Sequence, residues 1–293
     1  MRVLVTGAKG QVGHELLRTA PHSFEVHGFD SSQLDITDNN KVQQTIDTLE
    51  PDLIINAAAY TAVDKAESDS EQAWAVNRDA VGYLASAASR LDIPLFHIST
   101  DYVFTGDSLT PYRESEPTGP TGVYGASKLA GEQTLAANCS KHITLRTSWV
   151  FGAHGNNFVK TMLRLGSERA SLSIVADQRG GPTSAASIAA ALWRLAEKYQ
   201  TNGHLDWGVY HYSGLPDCTW FDFANEIFAQ ASDKNLISQK PTLSPISTAD
   251  YPTPARRPAW SVMDCSKLQS TFGISAPDWR RDLQTTLLEL AKG

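Results

Sequence analysis

A glycine-rich turn close to the start of the chain is the feature that most constrains its fold. Gly7, Gly10 and Gly13 follow the short apolar run Arg2–Thr6 and lead into a segment with helical spacing. Glycines between a strand and a helix allow a tight turn and let the backbone approach a phosphate, to which the helix N-terminus offers N–H donors. The order strand, glycine turn and helix therefore predicts a dinucleotide-binding unit at the start of an α/β fold.

Apolar runs and helical patterns continue to alternate through the first half of the chain. After Arg2–Thr6, the predicted strands are Phe24–Phe29, Leu53–Ile55, Pro94–Ile98 and His142–Leu145. Helical patterns at Asp38–Leu49, at 70–91 and from Tyr124 onward separate these runs. This rhythm predicts a doubly wound parallel sheet of the Rossmann type, with helices on both faces.

The second half of the chain is less regular and predicts a smaller α/β substrate-binding domain. We expect the NAD(P)-binding domain to span residues 1–151, completed by parts of 184–212, and residues 152–293 to form mainly the substrate domain. Five prolines make Pro241–Pro258 a long irregular segment. A loop of that length in a compact domain is usually functional or disordered. The two arginines that it carries favour a functional loop.

Bulk composition excludes several classes of protein. A net charge of −7 argues against nucleic-acid and membrane-surface partners. No apolar run approaches the length of a membrane span, and no signal peptide is recognisable at the N-terminus. Cys139, Cys218 and Cys265 are far apart, which predicts neither a disulfide framework nor a cysteine metal site. We therefore expect a cytoplasmic protein.

The predicted cofactor is NADPH or NADH, and two residues favour different forms. Asp30 ends the second strand, twenty residues after Gly10, where a carboxylate can accept hydrogen bonds from ribose hydroxyls and favours NADH. Lys9 can instead pair with the 2′-phosphate of NADPH. Asp30 has the alternative role of a surface turn residue. The predicted cofactor contacts are Gly7, Gly10, Gln11, Val12, Gly13, Asp30, Asp35, Ile36, Ala57, Ala58, Ala59, Tyr60, Thr61, Tyr124 and Lys128.

Tyr124 and Lys128 are candidate catalytic residues, because a spacing of four places them on one helical face. A neighbouring cation lowers the pKa of a phenol, so the pair can deliver a proton to a carbonyl oxygen. Thr100 ends the fourth strand, at the sheet edge where α/β proteins bind ligands, and its hydroxyl can reach a substrate oxygen. The alternatives are a solvated Tyr/Lys pair and a threonine that caps a turn.

Several motifs together resemble the extended short-chain dehydrogenase/reductase superfamily. The segments that carry this resemblance are Gly7–Gly13, Asn56–Ala59, Ser99–Phe104 and Tyr124–Lys128. More specific segments resemble the dTDP-4-dehydrorhamnose reductase family within it. They are Ala62–Glu67, Tyr124–Glu132, Arg146–Phe151, Asn156–Phe158, Asp177–Gln178, Gly181–Thr183 and Tyr251–Pro258.

The resemblance implies an oxidoreductase of dTDP-rhamnose biosynthesis that reduces the C4 ketone of dTDP-4-dehydro-L-rhamnose with NAD(P)H. Thr100 would hydrogen-bond the keto oxygen. Tyr124 would protonate the developing alkoxide. Lys128 would lower the pKa of Tyr124 and hold the nicotinamide ribose.

The resemblance also implies how the sugar nucleotide is held. Asp101 and Trp149 would lie against the sugar, although core packing is the alternative for Trp149. Arg256 and Arg257 would bind the diphosphate, since planar guanidinium groups suit phosphate oxygens. One of the two could equally be a surface arginine.

One departure from the family pattern concerns metal binding. Well-known bacterial members bridge two subunits through a metal that glutamates hold. Glu15 matches one of those positions, but Ala186 stands where another glutamate is expected. We therefore predict no structural metal, and a monomer or weak homodimer whose partner is the small-molecule dTDP-sugar.

Three other functions remain open. A sugar-nucleotide dehydratase typically has an acidic pair after the threonine, whereas Asp101 is followed here by Tyr102. An epimerase of the superfamily would keep its NAD bound. The non-enzyme alternative is an NADP-binding regulatory subunit similar to the methionine adenosyltransferase β subunit.

Overall fold

The computed structural model describes residues 1–292, and in this part of the chain one parallel sheet of six strands dominates. In spatial order its strands are Gly208–His211, His142–Thr147, Leu95–Thr100, Leu53–Asn56, Arg2–Thr6 and Glu25–Phe29. The predicted doubly wound α/β fold is therefore confirmed. Strand order reverses beside Arg2–Thr6, and such a switch point opens a crevice at the carboxyl ends of the strands.

Helices cover both faces of the sheet because alternate strand residues point to opposite faces. The helices around the sheet are Gln11–Arg18, Asn39–Leu49, Ala80–Arg90, Val123–Asn138 and Ala185–Asn202. On one face Val3 and Val5 pack with Ile188, and on the other Leu4 packs with Leu84. Each fully buried side chain of this size contributes about 1.5–3 kcal/mol through its burial.

The helix predicted over 70–91 has a π-helical turn at Ala75–Asp79, between Ser70–Trp74 and Ala80–Arg90. This turn meets Val123–Asn138 at Gly131. This helix is hereafter called the catalytic helix, because it carries the candidate catalytic residues Tyr124 and Lys128. A Cβ atom at Gly131 would lie 2.0 Å from the backbone oxygen of Asn77, so only glycine permits this approach. The two helices are consequently fixed against each other beside Tyr124 and Lys128.

A second group of elements, hereafter the C-terminal lobe, packs around Phe223, Phe228 and Trp279. Its helices are Phe158–Glu168, Trp220–Asp233 and Trp279–Leu290. Its strands form the pairs Ser171–Val175 with Thr242–Ile246, Val150–Phe151 with Thr183–Ser184, and Arg179–Gly180 with Cys218–Thr219. Two short helices, Val63–Ala66 and Ser266–Phe272, complete the chain with the turns 101–103 and 248–250.

The prediction that all of Pro241–Pro258 is irregular is wrong for its first part. Thr242–Ile246 is a strand that pairs in parallel with Ser171–Val175. It tolerates Pro245 because a two-stranded sheet has only edge strands, where a missing N–H donor costs little. Residues 251–258 are irregular, as predicted.

Two further expectations concern cysteines and membranes. In the part of the chain that the structure describes, Cys139, Cys218 and Cys265 are all free and buried. Among residues 1–292, no helix is long and apolar enough to cross a membrane.

Candidate active site

The glycine turn forms a cradle that side chains would fill. Gly7 has a φ of +73°, and a Cβ atom there would lie 2.6 Å from the backbone nitrogen of Ala58. A Cβ atom at Gly13 would lie 2.0 Å from the backbone oxygen of Gly7. The helix that follows begins at Gln11. Its first N–H groups face the cradle, so the residues present fit a dinucleotide pyrophosphate.

Asp30 and Lys9 form an ion pair at the edge of this cradle, with 2.5 Å between the Lys9 Nζ and an Asp30 carboxylate oxygen. Hydrogen bonds from Lys9 and then from Ser32 hold the pKa of Asp30 well below its usual range. The carboxylate is therefore ionised, but its charge is balanced by an ammonium group. Lys9, which favours NADPH, and Asp30, which favours NADH, thus form one ion pair. The structure is therefore compatible with either cofactor.

The other predicted cofactor residues differ in how much surface they offer. Residues 57–60 are half-buried along the turn, and Thr61 is exposed. Val12 and Ile36 are buried in the two cores beside the sheet. The Asp35 carboxylate accepts hydrogen bonds from the backbone and hydroxyl of Thr37. Asp35 thus has a local turn role beside any contact with a cofactor.

Thr100 and Asp101 lie together at the carboxyl end of the fourth strand. The Thr100 hydroxyl donates to one Asp101 carboxylate oxygen over 3.0 Å and accepts from the backbone N–H of Tyr102 over 3.3 Å. Thr100 therefore also caps the turn that follows. The other Asp101 oxygen is buried and lacks a hydrogen-bond partner within residues 1–292. Burial raises the pKa of Asp101 to about 6.

Lys128 reaches from the catalytic helix to the fourth strand. Its Nζ donates to the backbone oxygen of Ile98 over 2.7 Å and lies 3.2 Å from Nε2 of His97. Burial lowers the pKa of Lys128 to about 8. Lys128 is thereby bound to Ile98, two residues before the candidate catalytic residue Thr100 on the fourth strand.

A row of buried polar side chains crosses three strands and ends at Lys128. Thr6, Asn56 and His97 are in register on adjacent strands. The Asn56 side-chain oxygen accepts from the Thr6 hydroxyl at 2.6 Å and from the backbone N–H of Ala58 at 3.1 Å. Its amide nitrogen consequently donates to His97 Nδ1 at 3.0 Å.

This row determines where the imidazole proton sits. Burial keeps the pKa of His97 well below its ordinary value, so the ring is neutral. Because Nδ1 accepts from Asn56, the proton lies on Nε2 and faces the amine of Lys128. A facing N–H disfavours the ammonium form of Lys128 and acts in the same direction as burial.

The prediction that Lys128 lowers the pKa of Tyr124 is wrong for this structure. Burial dominates and raises the pKa of Tyr124 to about 12, although hydrogen bonding to Thr100 acts in the opposite direction. The Lys128 Nζ is directed instead toward Ile98 and His97. Tyr124 is consequently protonated throughout the neutral range.

Trp149 adopts a left-handed backbone conformation at the same edge of the sheet, with a φ of +48°. It follows the strand whose Thr147 lies opposite Thr100. The Trp149 indole stacks on Trp220 with 3.5 Å between the ring centroids. A Cβ atom at Gly180 would lie 2.6 Å from the indole, so glycine is required behind it. Both Trp149 and Trp220 are half-buried and can offer an aromatic surface.

The two candidate phosphate arginines have different surroundings. Arg256 is exposed, whereas Arg257 is half-buried and donates from Nη2 to the Asp64 carboxylate over 2.6 Å. The Nη1 atom of Arg257 is buried and has no hydrogen-bond partner among the described residues. Arg257 is therefore the arginine with a preset, unsatisfied donor.

His14, Glu15 and His154 form a group whose potential metal-ligand atoms all lie within 4.8 Å of one another. Glu15 is buried and already accepts from the Arg18 guanidinium over 2.6 Å and 3.0 Å. The guanidinium charge opposes binding of a second cation at this carboxylate. The predicted absence of a structural metal stays a prediction.

The comparisons with known proteins decide the family. A family model described as the RmlD substrate binding domain matches residues 1–292. The chain belongs to this family. A relative from Aggregatibacter actinomycetemcomitans named dTDP-4-dehydrorhamnose reductase is 47% identical over 285 residues, which are 97% of each chain.

Solved structures of family members resemble the whole molecule. A dTDP-4-dehydrorhamnose reductase from Clostridium acetobutylicum has a TM-score of 0.92 at 34% identity and covers 100% of both chains. A dTDP-4-dehydrorhamnose reductase from Bacillus anthracis in complex with NADP has a TM-score of 0.92 at 38% identity, covering 98% of this chain and 99% of that one. The family predicted from the sequence motifs is therefore confirmed.

In this member of the RmlD family, sequence reasoning missed several residues beside the site. They include His97, Asp64 and Trp220. Asp64 lies in the recognised motif Ala62–Glu67, which was a usable signal, but no sequence rule assigned it a partner. His97 is an isolated polar residue within an apolar strand, and its partners become visible only when the strand register is known.

Proposed function

We propose that this chain reduces the C4 ketone of dTDP-4-dehydro-L-rhamnose to the alcohol of dTDP-L-rhamnose, with NADPH or NADH as the reductant. The observation that carries the proposal is the placement of Thr100 and Lys128 at the sheet edge beside a glycine cradle, with Tyr124 one turn before Lys128 on the same helix. Curated relatives named dTDP-4-dehydrorhamnose reductase support it over nearly the full length of the chain.

The bound dinucleotide supplies the hydride, and the chain supplies the proton and the geometry. Gly7–Gly13 would hold the pyrophosphate, and Lys128 would bind the nicotinamide ribose. The Thr100 hydroxyl would exchange its bond to Asp101 for one to the keto oxygen. Tyr124 would then donate its Oη proton as negative charge develops on that oxygen. The raised pKa of Tyr124 keeps this proton in place at neutral pH.

The substrate would lie between the sheet edge and the C-terminal lobe. Trp149 offers an aromatic face to the sugar nucleotide, and the unpartnered oxygen of Asp101 offers an acceptor to a sugar hydroxyl. Arg257 offers a buried donor to the diphosphate, where Arg256 would add charge from the exposed side. A buried donor and acceptor without partners are costly in a protein, and a ligand that satisfies both recovers that cost.

The residues of the site favour a reductase over a dehydratase and over a regulatory subunit. A dehydratase needs a second acid after Asp101, and Tyr102 is instead a half-buried phenol whose pKa is raised. A regulatory subunit has no need of a Thr100, Tyr124 and Lys128 set beside a cofactor cradle. We therefore keep the reductase as the single proposed function.

Three organisational proposals accompany this function. The NAD(P)-binding domain comprises residues 1–151 with parts of 184–212, since the strand Gly208–His211 completes the sheet, and residues 152–293 mainly bind the sugar nucleotide. The protein acts in the cytoplasm, which its three free cysteines support. It works as a monomer or weak homodimer.

The direct test supplies purified protein with dTDP-4-dehydro-L-rhamnose and follows the absorbance of reduced nicotinamide, with NADPH and NADH compared in parallel. We expect steady oxidation that depends on the sugar nucleotide, together with dTDP-L-rhamnose as product. Turnover without net oxidation would instead indicate an epimerase, and no turnover with either cofactor would refute the proposal.

A further inference from the structure

One short segment, 62–67, contacts both the irregular residues 251–258, hereafter the proline-rich segment, and the catalytic helix. Within it, Asp64 accepts two hydrogen bonds from the proline-rich segment. Arg257 Nη2 lies 2.6 Å from one carboxylate oxygen, and the backbone N–H of Ala255 lies 3.2 Å from the other. A single carboxylate therefore fixes both the guanidinium of Arg257 and the backbone two residues before it.

The same segment holds the start of the catalytic helix through Glu67. A Glu67 carboxylate oxygen accepts from the backbone N–H of Val123, the first residue of that helix, over 2.9 Å. A Cβ atom at Gly122 would lie 2.7 Å from this oxygen, so the chain enters the helix in close contact with Glu67. Asp64 and Glu67 are three residues apart, on adjacent turns of one short segment.

Arg257 has one half of its guanidinium free for a ligand. The charge of Arg257 acts on the pKa of Tyr102, and the Tyr102 ring sits edge-on to Tyr124 with 5.4 Å between centroids. The Arg257 side chain is 22% exposed, while its Nη1 is buried and unpartnered within residues 1–292. One side of the guanidinium is thus held by Asp64, and the other keeps an unsatisfied donor.

We propose that Asp64 is a positioning residue that fixes Arg257 for the substrate diphosphate. The shared 62–67 segment also holds the helix of Tyr124, so it sets the position of Arg257 relative to Tyr124. The proposal rests on the assignment of Arg257 to the diphosphate under the proposed function. A half-exposed ion pair adds little stability. The gain lies instead in preorganisation, because an arginine held in one rotamer loses less side-chain entropy when it binds phosphate.

The test is a double-mutant cycle on the affinity for dTDP, measured by titration calorimetry, which needs no turnover. Asp64→Asn should weaken dTDP binding about tenfold, as expected for a lost charge-assisted hydrogen bond that positions a ligand group. Arg257→Gln should weaken it more. In the Arg257→Gln background, Asp64→Asn should have almost no further effect, because its role acts through Arg257.

Controls separate positioning from a general loss of structure. Asp47→Asn removes a comparable aspartate–arginine pair, with Arg90 at 2.5 Å on the protein surface, and should leave dTDP affinity unchanged. NADPH affinity and the melting temperature of the Asp64 variants should stay near those of the native protein. Asp64→Ser, whose hydroxyl is one bond shorter than the carboxylate and cannot hold Arg257, provides a second variant and should also weaken dTDP binding.

Two results would overturn the proposal. One is native dTDP affinity in both Asp64→Asn and Asp64→Ser. The other is an equal loss from Asp64→Asn in the native and Arg257→Gln backgrounds. A failed reductase assay, together with the expected result of the double-mutant cycle on dTDP affinity, would instead refute the proposed reaction. It would leave Asp64 as the residue that positions Arg257.

Discussion

Replacing His97 by leucine probes the buried row that ends at Lys128. Leucine is close to histidine in volume but can neither accept from Asn56 nor face Lys128 with an N–H. The change therefore removes two polar contacts, at 3.0 Å and 3.2 Å, from a region that water does not reach. It leaves the amide nitrogen of Asn56 buried without an acceptor.

The expected loss of stability follows from the stranded amide of Asn56. An unsatisfied buried donor costs about 1–3 kcal/mol, whereas Lys128 keeps its bond to Ile98. The free energy of unfolding should thus fall by about 1–3 kcal/mol. For a chain of this length, that lowers the melting temperature by roughly 2–5 °C. Turnover should also fall by about tenfold, because Ile98 alone then holds Lys128 beside Thr100.

Thermal and urea unfolding measure the first effect, and steady-state reductase kinetics measure the second. His22→Leu is the matched control, because His22 is exposed and should show neither effect. A melting temperature within about 1 °C of the native value would refute the hydrogen-bonded row. Lost stability with native turnover would show that the row supports the sheet but does not position Lys128.

Three other outcomes test neighbouring parts of the site. Tyr124→Phe should lower turnover by about 10²–10⁴-fold while leaving NADPH affinity near native, as measured by kinetics and calorimetry. Lys9→Ala should lower the NADPH-to-NADH ratio of kcat/KM by roughly tenfold, since the Asp30 carboxylate then repels a 2′-phosphate without compensation; an unchanged ratio would remove the pair from cofactor selection. The pKa of Asp101 is raised from 3.8 to about 6, so its contribution to stability is full below pH 4 and lost as the pH rises through 6. Asp101→Asn should consequently be more stable than the native protein above pH 6 by about 2–3 kcal/mol. Chemical unfolding of both proteins across this pH range measures the difference in free energy of unfolding, and a difference that did not change with pH would contradict this prediction.

The sequence predicted the parallel sheet because its signals are local. Each buried strand is a short apolar run, and each helix between strands has its own apolar spacing. The glycine turn could be located for the same reason: Gly7 and Gly13 are needed where the backbone comes within 2.6 Å and 2.0 Å of a potential Cβ atom. The strand Thr242–Ile246 escaped prediction because Pro245 is tolerated only in an edge strand, and because its partner lies about seventy residues earlier.

The parts of the site that the sequence could not predict depend on contacts between distant residues. Tyr124 and Lys128 were identified from their spacing, but their pKa values follow from burial, which reverses the direction expected for the phenol. His97 meets Lys128 only because two elements pack together. Asp64 and Arg257 are 193 residues apart, so no local pattern joins them.

Isotope tracing tests the central claim most directly. NADPH carrying deuterium at the transferable position of the nicotinamide would be incubated with dTDP-4-dehydro-L-rhamnose and the native protein, and the product sugar analysed by NMR and mass spectrometry. Hydride transfer to the ketone predicts one deuterium at C4 of dTDP-L-rhamnose, and Tyr124→Phe should form little of this product. Deuterium at another carbon, or product without deuterium, would contradict a C4 ketoreductase built on Thr100, Tyr124 and Lys128.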